Sequence, residues 1–312
     1  MNAIVTLTMS PSIDVNTGID YVVPERKLRC GPPNYEPGGG GINVSRAIQK
    51  LGGESVALYA SGGPTGQMLE TLLTQEGLNH HPIPIKDWIR QNLIVMEEST
   101  NRQFRFGMPG PNFQEHEWRR FLEELSALDS RPTYIVASGS LSPGVPQDFY
   151  ARLARLAREL NTRLILDTSG EALHLALSEG VYLIKPNLRE LGELKGIAPG
   201  AESEEKELAV EIVRSGQSEI VVVSLGAAGA LLVSSDGAER IQSPTIPIRS
   251  KVGAGDSMVA GIVLSLKRGL SVQDAVRFGV AAGAAAVMTP GTELCRREDT
   301  ERLYERLDSR GV

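Results

Sequence analysis

From Trp118 onward, short apolar runs alternate with longer segments of helical periodicity, and this alternation limits the fold more than any other feature of the chain. The runs fall at 134–137, 163–166, 182–184 and 220–224. Runs so short and so uniformly apolar need cover on both faces, which predicts an α/β fold with a mostly parallel sheet between helices. Upstream, 4–9 and 56–60 read as further strands, and 67–75 as a helix returning the chain. With 41% hydrophobic residues in 312, a single large core is within reach, so residues 1–312 are read as one domain. Two segments do not fit the alternation. About 15–36 holds Pro24, Pro32 and Pro33 with Lys27 and Arg29, and about 88–107 reads as a hairpin turning at Ser99, Thr100 and Asn101. Both are expected to form a small lid inserted into the domain, and the tail 308–312 is expected to fray.

The strand ends carry polar residues. Asp14 follows the first strand across a turn, and later strands end in Ser138 and Gly139, Asp167 and Thr168, Lys185 with Asn187 and Glu190, and Ser224 with Gly226 and Gly229. In an open α/β sheet such ends line one crevice, where ligands bind. Two glycine stretches lead toward it. Gly38, Gly39, Gly40 and Gly41 precede a helix over 42–48 with Asn43 in its first turn, which suggests close backbone approach to a ligand, with helix packing as the alternative. Gly253, Ala254 and Gly255 run into a helix over 258–266, aiming unpaired backbone N–H groups at an anion. Beside them Asp256 is either a helix cap or a proton acceptor, and the sequence pattern leaves both open. Asp14 is likewise a turn former or an acceptor for sugar hydroxyls. Arg90 and Arg105, with Lys27 and Arg29, form either a cationic clamp for a phosphorylated substrate or separate solvated cations.

Several classes are excluded. A net charge of −6 with dispersed Lys and Arg offers no field for a nucleic acid. No apolar run approaches the roughly 18 residues that span a membrane, and the chain opens on 3–7 without a charged leader, so a cytoplasmic protein is expected. Cys30 and Cys295 lack companions at metal spacing and read as reduced thiols. No Gly-x-x-x-x-Gly-Lys-Ser/Thr occurs, and neither glycine stretch completes a dinucleotide fingerprint.

The glycine stretches, the Asn187-x-x-Glu190 spacing and the Gly253-Ala254-Gly255-Asp256 run together resemble the ribokinase or PfkB family of carbohydrate kinases over nearly the whole chain. The resemblance implies a ribokinase-like three-layer sandwich with a small β-lid and ATP-dependent phosphorylation of a sugar phosphate. Segments 27–30, 36–44, 90–93 and 277–283 are most similar to the fructose 6-phosphate branch. Kinases of fructose 1-phosphate or tagatose 6-phosphate, and a catalytically inactive sugar-binding regulator, are the alternatives. By resemblance, Asp256 is the base and Gly253, Ala254 and Gly255 the anion hole, while Asp14, Lys27, Arg29, Gly39, Gly40, Asn43, Arg90, Arg105 and position 139, a glycine here, bind the sugar phosphate. Lys185, Asn187, Ser224, Gly226, Gly229, Val280 and Ala284 would border ATP, Glu190 would hold Mg²⁺, and Ser250, Val252, Ala286 and Gly291 a monovalent cation, commonly K⁺. A homodimer through the lid, with Lys27 reaching the neighbouring site, is also implied. Ser142, Thr168 and Glu293 depart from the family pattern, which expects proline, serine and a basic residue there.

Overall fold

The computed structural model describes residues 4–128, 130–194, 202–250 and 252–308. Strand β1 (Ile4–Thr8) leads through a bend at Met9 and Ser10 into β2 (Ser12–Ile19). After an exposed segment come β3 (Asn34–Gly38), α1 (Gly40–Lys50), β4 (Val56–Ser61), α2 (Gly63–Gln75) and β5 (His80–Pro84). The hairpin β6 (Arg90–Glu97) and β7 (Arg102–Phe106) precedes α3 (Glu115–Ser126), β8 (Tyr134–Ser138), α4 (Phe149–Glu159), β9 (Arg163–Asp167), α5 (Gly170–Leu177) and β10 (Val181–Ile184). The chain closes with α6 (Leu188–Glu193), α7 (Glu202–Arg214), β11 (Ser218–Ser224), β12 (Ala230–Ser234), β13 (Gly237–Ile241), α8 (Ala254–Lys267), α9 (Val272–Val287) and α10 (Arg297–Asp308).

Nine strands form the main sheet in the order β13-β12-β11-β10-β9-β8-β1-β4-β5, parallel from β11 through β5. Because successive side chains point to opposite faces, each strand feeds two cores. Leu7, Ile135, Leu164 and Val221 pack with α2 to α7, while Ile4, Tyr134, Ile165 and Val222 pack with α1, α8, α9 and α10. This is the expected three-layer sandwich. The strand order reverses direction at β1, whose neighbours are β4 and β8, so a switch point lies between β1 and β8.

A separate four-stranded sheet, β3-β2-β6-β7, forms the lid. Two expectations are corrected here. Asp14 does not sit at the end of a turn but inside β2, because 12–16 alternates polar and apolar residues at strand period. The strand–helix alternation does not run to the C-terminus: β12 and β13 are antiparallel, and α8, α9 and α10 follow one another. Small residues permit that stacking, since a Cβ on Gly261 would lie 2.9 Å from the Cα of Gly279 across the α8–α9 contact. No described helix is long and apolar enough to cross a membrane, Cys30 and Cys295 are free thiols, and residues 309–312 of the tail lie outside the described residues.

Candidate active site

Helix α8 begins with an uncovered N-terminus. Its N-cap is Gly253, in the left-handed region at φ 73° with no side-chain cap, so the backbone N–H groups of the first turn keep their capacity for an anion. Only glycine suits this position, because a Cβ would run into Leu294. Asp256 stands in the first turn and is not the cap; its Oδ2 accepts a hydrogen bond from Asn43 Nδ2 at 2.9 Å. Enclosure by protein and the nearby charge of Asp167 push its pKa up to about 6, against the Asn43 hydrogen bond and Lys185, which pull it down. The group is therefore a carboxylate poised near neutrality, as a general base requires.

Asn43 is delivered from the other side of the crevice by the glycine run. Gly41 packs on Leu7 and Thr8 at the end of β1, and Gly40 on Ser138 at the end of β8, so the run crosses the switch point where a Cβ would collide with strand backbone. Close packing on strand ends, the alternative left open by the sequence, accounts for the glycines at 40 and 41. With Nδ2 committed to Asp256, Asn43 leaves its buried Oδ1 without a partner, an unmet acceptor on the residue that holds Asp256. Position 139 is a glycine at φ 106° whose N–H donates to Asp167 O and whose carbonyl accepts from Tyr150, so it contributes backbone only.

Lys185 and Asp167 form a pair at 3.1 Å, with Lys185 5% exposed. Burial alone would lower the Lys185 pKa, but Asp167, Glu190 and Asp256 outweigh it and raise it, so the ammonium is retained beside Gly255. The parallel register explains the pairing: Ile184 sits opposite Leu166, which sets Lys185 beside Asp167. Asn187 and Glu190 form a capping box on α6, each side chain bonded to the other's backbone N–H at 2.9 Å. Asn187 bridges to Ser224, and Gly226 and Gly229 follow at φ 58° and 94°. Val280 and Ala284 are 4% and 5% exposed, packed mostly into the second core rather than laid open to the crevice.

Magnesium usually keeps several waters and takes one or two carboxylates plus phosphates. Among the described residues there is no cluster of three acidic, His or Cys side chains, and the single carboxylates of Glu190 and Asp167 fit an ion that arrives with nucleotide phosphates. Ser250, Val252 and Gly291 lie together beside α8: Ser250 Oγ donates to Gly291 O at 2.8 Å and accepts from Val252 N at 3.2 Å. Ala286 O already accepts both the N–H and Oγ1 of Thr289, so it fits a cation less well than the other three.

On the lid, Asp14 Oδ1 accepts from Ser12 and Asn92, each at 2.8 Å. Arg90 donates to the carbonyls of Met108 and Ser10, and its Nε is buried without a partner. Burial lowers the Arg90 pKa, with Asp14 opposing. Arg105 is exposed on β7, and Lys27 and Arg29 lie on the exposed segment between β2 and β3; no described contact joins these three to Arg90. The departures have local accounts: Ser142 donates to Met9 O at 2.9 Å, Thr168 is buried after β9, and Glu293 pairs with Arg296 at 2.7 Å. The sequence marks Asp167 as a strand end lining the crevice but not its pairing with Lys185, and gives no role to Tyr150 or to Arg46, which bridges Glu76 and Pro37 O.

A family model for pfkB family carbohydrate kinases matches residues 2–299. ATP-dependent 6-phosphofructokinase isozyme 2 of Mycobacterium tuberculosis is 46% identical over 302 residues, covering 97% of this chain and 89% of that protein. The protein of the same name from Escherichia coli K12 is 44% identical over 305 residues, covering 97% and 98%. Among solved structures, E. coli phosphofructokinase-2 in complex with potassium superposes with a TM-score of 0.95 at 44% identity, over 99% of this chain and 100% of that one. Its complex with fructose-6-phosphate gives 0.93 at 43% identity, with the same coverage.

Proposed function

The chain belongs to the PfkB family of carbohydrate kinases, and from that premise we propose that it transfers the γ-phosphoryl group of ATP to the 1-hydroxyl of fructose 6-phosphate. The observation that carries the chemistry is Asp256 standing in the first turn of the uncapped α8, with its carboxyl held by Asn43. As the sugar oxygen bonds to phosphorus and the bond to the ADP oxygen breaks, the hydroxyl proton passes to Asp256, and the N–H groups of the Gly253 to Gly255 turn take up charge on the phosphoryl oxygens. Lys185 neutralises phosphate charge from the β10 side, and Asn187, Ser224, Gly226 and Gly229 border the nucleotide. Glu190 would hold Mg²⁺, which would supply charge neutralisation at the nucleotide phosphates.

Asp14 and Asn43 hold the sugar hydroxyls, and Arg90, with Arg105, Lys27 and Arg29, takes the 6-phosphate through charge-assisted bonds. Ser250, Val252 and Gly291 hold a monovalent cation. Residues 1–312 act as one kinase domain, in the cytoplasm, and as a homodimer joined through the lid. Release of ADP measured across a panel of phosphosugars tests the substrate. Fructose 6-phosphate is expected to give the highest kcat/KM; a higher value for fructose 1-phosphate or tagatose 6-phosphate, or no turnover with any sugar phosphate, would overturn the assignment.

A further inference from the structure

The lid and the anion-binding turn come from opposite ends of the sequence, yet one carboxylate ties them. Glu36, on β3, receives on a single oxygen a hydrogen bond from Asn16 Nδ2 of β2 at 2.7 Å and another from Thr292 Oγ1. Thr292 is fully buried in the turn after α9. Its neighbours reach the N-terminus of α8 by two routes. Gly291 O accepts from Ser250 Oγ, which in turn accepts from Val252 N, immediately before Gly253. Leu294 packs its side chain against the space that only a glycine at 253 leaves open. The turn between these points is stiffened by Thr289, whose hydroxyl donates to both Ala286 O and Leu294 O, at 2.8 and 3.0 Å. Glu36 is thus joined to the turn at Gly253 by a short, hydrogen-bonded segment.

On the lid side Glu36 is equally well placed. It pairs in register with Asp14 across β3 and β2, and Asp14 pairs with Asn92 of β6, so the three share one face of the lid sheet. The lid face that carries the sugar-binding groups therefore also carries the tie to the nucleotide side.

We propose that Glu36 is a positioning residue that couples the sugar and nucleotide sites, setting the anion-binding turn through Thr292 when the lid is in place. This rests on the sugar-phosphate kinase reading above. By linkage, fructose 6-phosphate tightens the nucleotide by the same factor as the nucleotide tightens fructose 6-phosphate, about fivefold or more for couplings of this kind.

Calorimetric titration of the full chain with a non-hydrolysable ATP analogue, alone and with saturating fructose 6-phosphate, reads that factor without turnover. The wild-type protein is expected to show it, and Glu36→Gln and Thr292→Val are expected to reduce it to below about twofold while leaving the analogue's affinity alone within about twofold. Thr292→Ser keeps the hydroxyl and should keep the coupling, which a loss of packing would not. The double variant Glu36→Gln/Thr292→Val should be no worse than either single one. Undiminished coupling in both single variants, additive losses in the double, or a wild-type protein that binds both ligands independently would overturn the proposal. A wild-type protein that binds the analogue but not fructose 6-phosphate would instead overturn the substrate assignment, and the coupling with it.

Discussion

Asp256 is kept basic by its surroundings at a cost to the folded state. With its pKa raised from 3.8 to about 6 by enclosure and by Asp167, the folded protein holds this proton more tightly than the unfolded chain does. Stability from this group is therefore fully present below pH 3.8 and declines as the pH rises through 6. Asp256→Asn removes that cost, so its melting temperature should exceed the wild-type value at pH 8, by the equivalent of on the order of 1–3 kcal/mol, and show no such gain at pH 3.5. A lower melting temperature at pH 8 would contradict the raised pKa. The same shift sets the activity profile: kcat/KM should fall about tenfold per pH unit below about pH 6, as the base becomes protonated. A flat profile down to pH 5 would show that no group of this kind limits the free enzyme.

The elements are unevenly legible in the sequence, for physical reasons. The buried parallel strands announce themselves as short apolar runs, so β8, β9, β10 and β11 were expected nearly where they lie. The edge strands β5 and β13 carry polar or proline residues on part of their length, and β2 begins where Ser10 and Pro11 suggest only a turn. The site's backbone was legible through its glycines and Asp256, but the side-chain ties were not. Glu36 to Thr292 spans 256 positions and Asn43 to Asp256 spans 213, and nothing in local spacing reveals such contacts. At Gly253 the glycine marks a left-handed turn of the backbone. Gly253→Ala puts a Cβ into Leu294 at φ 73°, which costs roughly 1–2 kcal/mol in backbone conformation before any clash. The variant should melt lower and lose kcat at least tenfold with the sugar KM little changed. An unaltered kcat would mean that the turn does not hold the phosphoryl group.

At the scale of the whole molecule, the lid presents an apolar row that the proposed homodimer would cover. Tyr35, Val15, Leu93 and Phe106 form one cross-strand row over four strands, with Tyr35, Leu93 and Phe106 exposed. Such an exposed apolar row is a feature that marks an interaction surface. In the proposed homodimer a second copy of the lid would cover this row by two-fold symmetry, and the exposed Lys27 would reach the neighbouring site. Light scattering should give twice the chain mass of 33.6 kDa. Mixing Lys27→Ala with Asp256→Asn subunits should restore activity well above either parent, since each heterodimer regains one site with both groups; no gain with verified heterodimers would place Lys27 in its own subunit's site. Phosphoryl transfer at this site depends on Asp256 acting as the base. The most direct measurement is single-turnover phosphorylation of fructose 6-phosphate by Asp256→Asn and by the wild-type protein at pH 8, with both substrates saturating and their affinities determined separately. The expected result is a rate lower by about 10²–10⁴ with substrate affinities unchanged within a few-fold; a rate within tenfold of wild type would contradict it.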